Sequence, residues 1–331
     1  MDKNTLFKIL KRLLVVLFIV FILFCLLMAT PRLISFINPE KPPIGYHFEA
    51  LDLLAAGLGL ESMVNRTPEV PASIEEIKDI EYKNVNGKSL QLDMYIPRDI
   101  VKPAPLLVFI HGGGWKSGKR QDYLVYLVDF ARKGFITATV SYRFVKDSLY
   151  PACVGDINDA VQWFYKHAHV YGYDPDRIAL IGGSAGGHLS MMAAYGWKNP
   201  YIENDTANHR IKAVVDIYGP VDFTTKYART HSLIRNFIGH SYEDAPELYR
   251  KASPLQYLDK DDPPTLILHG TSDMLLPISQ SDTLNAHLQK LGVPVVYYRL
   301  PLWPHAMDVD QRVNDFCQLK MNEFFDRYLK Q

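Results

Sequence analysis

The chain is predicted to be an α/β protein, a mostly parallel sheet with helices on both faces, preceded by one N-terminal membrane-spanning helix. Three observations predict this. From about Ser73 onward, short apolar runs alternate with amphipathic helical segments, as in parallel sheets built with crossover helices. Upstream, an uncharged run extends from Leu13 to Ala29. Glycine-rich or histidine-bearing junctions stand directly after several of the apolar runs, where parallel sheets place ligands.

Composition narrows the classes. The 331 residues carry 36 Lys+Arg and 36 Asp+Glu, so no charge imbalance points to nucleic acid. At 48% hydrophobic and 22% charged, the chain is of ordinary globular composition. Three cysteines without a repeated CxxC supply neither a zinc site nor a disulfide framework. Cys153 and Cys317 read as two free buried thiols, with a pair in an oxidising compartment as the alternative. His167 and His169 lie two apart on a helix and so share no face for a metal.

Lys3, Lys8, Lys11 and Arg12 precede the apolar run, which Thr30, Pro31 and Arg32 interrupt. Seventeen residues sit at the lower end of a bilayer-spanning helix. Leu27-Met28-Ala29 lacks the small-x-small pattern of a cleavage site, which favours an uncleaved anchor over a cleaved signal and secretion. The basic flank places the N-terminus in the cytoplasm and the rest of the chain outside it, on a single-pass membrane protein. The expected divisions are a cytoplasmic 1–12, an anchor at 13–30, a linker with a candidate cap helix at 31–72, and a catalytic domain at 73–331. Within the linker, Leu51, Leu54, Ala55 and Leu58 have helical spacing; they read as a packed helix, or else as a lid or membrane-surface helix within Ile44 to Arg66.

Strands are expected at Ile80 to Val85 and Leu90 to Ile96, turned by Asn86-Gly87. Further strands follow at Leu106 to Ile110, Phe135 to Tyr142, Arg177 to Ile181, Ile211 to Tyr218, Thr265 to Leu268 and Val295 to Leu300. Helices are expected at Asp156 to His169, Gly186 to Tyr195 and Asn314 to Leu329.

Gly182-Gly183-Ser184-Ala185-Gly186 follows a strand and opens a helix. In that context a GxSxG serine occupies a strained turn with its Oγ raised above the sheet. His111-Gly112-Gly113-Gly114-Trp115 follows another strand, and consecutive glycines let backbone amides turn toward an oxyanion. A phosphate loop is the competing reading of Gly113 to Lys119. Arg120 stands where that loop needs Ser or Thr, so no nucleotide is expected. A serine nucleophile needs a base and an orienting carboxylate. Asp273 and His305 each follow a strand, giving the order Ser184, Asp273, His305. Asp222 is the runner-up acid, Asp308 is less well placed, and His269 reads as structural.

The chain from about Ser73 resembles α/β-hydrolase fold esterases of the hormone-sensitive-lipase-like and acetyl-esterase/feruloyl-esterase (BD-FAE-like) type. The matching pieces are His111-Gly112-Gly113-Gly114-Trp115, Ser141-Tyr142-Arg143, Asp174-Pro175-Asp176-Arg177-Ile178, Gly182 to His188, His269-Gly270-x-x-Asp273 and Pro304-His305. The resemblance implies a nucleophile at Ser184, an acid at Asp273, a base at His305, and oxyanion donors at the amides of Gly113, Gly114 and Ala185. It implies hydrolysis of a small-molecule ester through an acyl-enzyme, with no metal or organic cofactor. A long N-terminal cap is not evident, and the absence of a long apolar lid favours short-chain soluble esters over emulsified triglycerides. Trp115 and Trp303 flank catalytic motifs and are expected as pocket walls. The insert from Phe223 to Ala252, with Tyr227, Phe237 and Tyr242, is expected to supply part of the pocket. Amide hydrolysis on the same fold, by a formamidase-like enzyme or a serine peptidase, is the second reading. A non-catalytic binding protein is the third, disfavoured because all three triad residue types are present.

Overall fold

A computed structural model describes residues 3–46, 49–59, 61–196 and 210–330. Helix α1 (Lys3–Ile37) is followed by the short α2 (Glu49–Gly57) and then by eight strands in a single sheet. The strands are β1 (Ile74–Val85), β2 (Lys88–Pro97), β3 (Ala104–Ile110), β4 (Ile136–Val140), β5 (Tyr173–Gly183), β6 (Ala213–Ile217), β7 (Thr265–Gly270) and β8 (Val295–Leu300). Their order is β1-β2-β4-β3-β5-β6-β7-β8. The first two pairings, β1 with β2 and β2 with β4, are antiparallel and the others parallel. Asn86 and Gly87 both have positive φ, at 51° and 82°, which matches a two-residue hairpin turn to the strand twist.

The inner strands are apolar throughout because both faces are covered. Val108, Ile110, Leu180, Val214 and Ile267 face one core, packed by α4 (Ala152–Tyr171), α5 (Ala185–Tyr195) and α9 (Ser279–Leu291). Leu107, Phe109, Ile181, Val215 and Leu268 face the other, packed by α3 (Leu124–Arg132) and α10 (Gln311–Tyr328). Cys153 belongs to the first core and Cys317 to the second. The sheet therefore lies between these thiols, and both are free.

Several boundaries differ from the sequence reading. Pro31 does not end α1, which runs on to Ile37; the Thr30 hydroxyl bonds the Leu26 carbonyl and the Ser35 hydroxyl bonds that of Pro31. Helices α3 and α9, not anticipated, cross between β3 and β4 and between β7 and β8. The insert folds as three short helices, α6 (Lys226–Thr230), α7 (Ser232–Ile238) and α8 (Pro246–Lys251). Among the described residues, α1 is the one helix long and apolar enough to cross a membrane.

Candidate active site

Ser184 is the single residue between the end of β5 and the start of α5. Its backbone sits at φ 55°, ψ −121°, a conformation L-residues rarely adopt and one that surrounding structure must enforce. Its amide donates to the Ile217 carbonyl at 2.9 Å. Helix α5 approaches the sheet closely enough that a Cβ on Gly186 would lie 1.9 Å from the Ile110 carbonyl oxygen. The small residues around Ser184 are thus a packing requirement. As the first residue of α5, Ala185 presents an amide that the helix itself cannot satisfy.

The glycine-rich loop Gly112–Gly114 follows β3. Gly113 has φ 102°, and a Cβ there would lie 2.1 Å from the Ser117 carbonyl oxygen. The amides of Gly113 and Gly114 donate to no acceptor among the described residues. Tyr142 holds the loop from below: its ring stacks on His111 with centroids 4.4 Å apart, and its hydroxyl bonds the His111 carbonyl at 2.9 Å. Arg143 in turn grips the buried Asp156 through Nε at 2.8 Å and Nη2 at 2.7 Å. The Ser-Tyr-Arg motif is therefore scaffolding for this loop.

Asp273 and His305 converge on Ser184 from the loops after β7 and β8. His305 Nε2 lies 3.0 Å from Ser184 Oγ, and His305 Nδ1 lies 2.6 Å from Asp273 Oδ2. The other carboxylate oxygen accepts from the amides of Leu275 and Leu276 at 2.9 and 2.8 Å. Burial works against the Asp273 charge, yet the hydrogen bonds from His269 and His305 win and hold its carboxyl at about 2. His269 is wholly buried, meeting the Ser281 hydroxyl through Nδ1 at 2.7 Å and Asp273 through Nε2 at 3.1 Å. It braces the carboxylate and does not reach Ser184. Asp222 is turned to its own loop, accepting from the Thr224 amide and hydroxyl at 2.8 and 2.7 Å. Asp308 bonds the Tyr218 hydroxyl, and the Tyr218 ring rests on His305 with centroids 4.7 Å apart.

Ser184 and His305 open onto a cavity of about 670 Å³ whose wall includes Tyr123, Tyr126, Tyr218, Asp308, Leu233 and Leu275, with Asp273 buried behind His305. The expectation for the tryptophans is corrected. Trp115 is 3% exposed and faces away from the cavity side, stacked on Phe237 at 4.3 Å with its Nε1 donating to His188. Trp303 is equally buried and donates to the Pro43 carbonyl at 3.0 Å. Neither lines the cavity. Of the insert, Leu233 reaches it; Phe237 is core, Tyr227 bonds the Leu275 carbonyl and Tyr242 lies under Arg229. Tyr123, Tyr126 and Tyr218 were missed as wall residues. Tyr218 alone carried a signal, since it follows the end of β6. Among the described residues, no group of three or more His, Cys, Asp or Glu side chains is placed to hold a metal ion.

Sheet order and site geometry define an α/β-hydrolase fold. The BD-FAE family model matches residues 92–288, and the chain belongs to that family. A probable carboxylic ester hydrolase of Mycobacterium tuberculosis, LipM, is 33% identical over 242 residues, covering 70% of this chain and 56% of that protein. The chain thus spans little more than half the length of that relative. A truncated carbohydrate esterase from gut microbiota superposes with a TM-score of 0.67 at 23% identity, covering 80% of this chain and 100% of the other. Propionate-bound esterase 2 of Thermogutta terrifontis gives 0.65 at 25% identity, covering 80% and 97%.

Proposed function

We propose that this chain is a membrane-anchored serine carboxylic-ester hydrolase acting on short-chain acyl esters. The observation that carries the reading is the continuous relay Asp273–His305–Ser184, at 2.6 and 3.0 Å. In this reading His305 Nε2 takes the Ser184 proton as Oγ attacks the ester carbonyl carbon. The negative charge that develops on the carbonyl oxygen is received by the amides of Gly113, Gly114 and Ala185; losing one such donor typically costs about 3–4 kcal/mol in the transition state. The intermediate collapses to an acyl-serine as the leaving alkoxide takes the proton from His305. Water then attacks the acyl carbon, giving its proton to His305, and the acid leaves as Ser184 recovers that proton. Asp273 stays ionised and stabilises the imidazolium.

Short acyl chains are supported by Leu233, whose methyls lie 3.6 Å from where a Gly114 Cβ would be, and by the propionate complex of the Thermogutta enzyme. A retained anchor is supported by α1 itself. Its apolar run does not end in a free tail but packs Met28, 2% exposed, against Tyr46 and Ala55. The basic flank at Lys8, Lys11 and Arg12 then puts the catalytic domain outside the cytoplasm.

The test uses the full chain in detergent or nanodiscs, assayed on p-nitrophenyl esters of two to twelve carbons with formyl-anilide and peptide substrates alongside. Ser184→Ala should lower ester turnover at least a thousandfold without moving the melting temperature, and a fluorophosphonate probe should label the parent alone. Turnover confined to the amide substrates would replace the ester reading. Failure of both labelling and turnover would leave a binding protein.

A further inference from the structure

The segment between α1 and the sheet folds back along α1. The Tyr46 hydroxyl donates to the Met28 carbonyl at 2.7 Å, and Met28, Tyr46, Leu51 and Ala55 form one small core. Met28 lies nine residues before the end of α1, which at 1.5 Å per residue is ~13 Å back along the axis. Helix α2 is therefore held at the level of the apolar run, not beyond it. Its described outward side chains are apolar as well: Leu54 is 41% exposed, and Leu58, just past the helix, is 58% exposed. An apolar flank at Leu54 and Leu58, beside the packed side at Leu51 and Ala55, favours a non-aqueous neighbour, and a bilayer spanned by α1 supplies one.

The same segment leads into the catalytic cavity. The Glu61 amide bonds the Ala55 carbonyl at 3.3 Å, and Val64, three residues further, lines the cavity with Arg66. Three residues of chain reach at most about 10–11 Å. Met63, between them, is 60% exposed. An exposed apolar side chain thus stands between α2 and the cavity rim.

We infer that the catalytic cavity opens at the bilayer surface, with the Leu54–Leu58 side of α2 seated in the boundary between headgroups and acyl chains, and that its natural substrate is a membrane-dissolved amphiphilic ester. The substrate keeps its apolar alcohol portion among the lipids while its short acyl carbonyl reaches Ser184. This inference rests on the serine-esterase reading with a retained anchor.

Two measurements on the full chain in phosphatidylcholine nanodiscs test it. In the first, a nitroxide is attached at Leu58→Cys in a Cys25→Ser background. Collisions with oxygen should exceed those with a water-soluble nickel chelate; the reverse ratio overturns the inference whatever the enzyme does. In the second, the Leu54→Asp/Leu58→Asp variant is compared with Val101→Asp, a control at an 86% exposed site on the catalytic domain. Hydrolysis of hexadecyl acetate held in the nanodisc should fall at least tenfold in the first variant alone, while p-nitrophenyl acetate hydrolysis stays within twofold. Equal rates on hexadecyl acetate in both variants overturn the substrate assignment. Absence of Ser184-dependent p-nitrophenyl acetate hydrolysis in the parent would instead overturn the esterase reading, and the collision ratio would still judge the docking.

Discussion

His188, four residues after Ser184, shows how a residue beside the candidate nucleophile can serve the fold alone. It is wholly buried, its Nε2 meets the Ala252 carbonyl at 2.8 Å, and its Nδ1 accepts from Trp115 at 3.3 Å. That environment offers one acceptor and one donor, which suits the neutral ring with its proton on Nε2. Burial pushes its pKa down to about 4, against ~6.5 in the unfolded chain. Between those values the unfolded state binds more protons. The contribution is complete above about pH 6.5 and is lost as pH falls toward 4, up to roughly 3 kcal/mol. Asp216, buried and pushed up to about 8, acts in the opposite sense across much of that window, so the parent's own profile mixes the two. The difference between parent and His188→Asn isolates the histidine. The variant should melt lower at pH 7, and the gap should narrow steadily between pH 6.5 and 4.5; a gap that does not change with pH contradicts the assignment. At this scale the sequence made Ser184, Asp273 and His305 legible, because each stands beyond a strand end with small or turn-forming neighbours. It misled at Trp115 and Trp303, because a bulky ring beside a candidate site loop serves packing as readily as it walls a pocket. Only the direction of the side chain decides, and Trp115, at φ 57°, is turned into the core.

Glycine in helices separates packing from propensity at the scale of the element. Gly186 lies in the first turn of α5 and Gly155 in the first turn of α4. A Cβ on Gly186 would collide with the Ile110 carbonyl at 1.9 Å, whereas one on Gly155 meets nothing within 4 Å. The backbone of β3 cannot yield without breaking its ladder to β4 and β5. Gly186→Ala should therefore cost several kcal/mol, visible as a melting temperature lowered by 10 °C or more, with ester turnover reduced at least a hundredfold as the elbow shifts. Gly155→Ala should leave activity unchanged and raise stability by about 0.4–1 kcal/mol through the unfolded chain. Equal effects would mean that α5 can slide on the sheet. The strands were legible for the complementary reason: when both faces are covered, each becomes a continuous apolar run, as in Ala104–Ile110. Helix α9 escaped notice because Leu284, Leu288 and Leu291 are its only large apolar residues among polar ones. Helix α3 escaped because Leu124 to Phe130 is apolar almost without interruption apart from Asp129, leaving little contrast between its faces.

The whole molecule depends on contacts that no local pattern announces, and Arg312 is the clearest. From the start of α10 it reaches Glu61 through Nε at 2.7 Å and Nη2 at 2.5 Å, and Ser35 near the end of α1 through Nη1 at 3.0 Å. Its guanidinium also lies over Trp303, 5.4 Å from the ring, and Trp303 donates to Pro43. Arg312 and Glu61 are 251 positions apart, so residues 31–72, which read as a linker, could not be seen in sequence to be a strap fastened beside the loop that carries His305. The Glu61 side chain is 4% exposed and that of Arg312 17%. Removing one partner of a buried pair leaves an uncompensated charge and typically costs about 3–5 kcal/mol, whereas replacing both by apolar groups of similar volume is often neutral. Arg312→Met should therefore lower the melting temperature clearly and expose the 38–66 stretch to trypsin, which finds a site at Arg66, since Lys41 is followed by proline. Glu61→Leu combined with Arg312→Met should recover part of the stability, the remainder reflecting Asp310, which lies 3.8 Å from Arg312 Nε and loses that cation in both variants. If the strap also steadies the loop after β8, the single variant should lose turnover on p-nitrophenyl acetate several-fold and the double variant regain it. A single variant as stable and as protease-resistant as the parent would show that α1 and the catalytic domain are joined by little more than the chain between them.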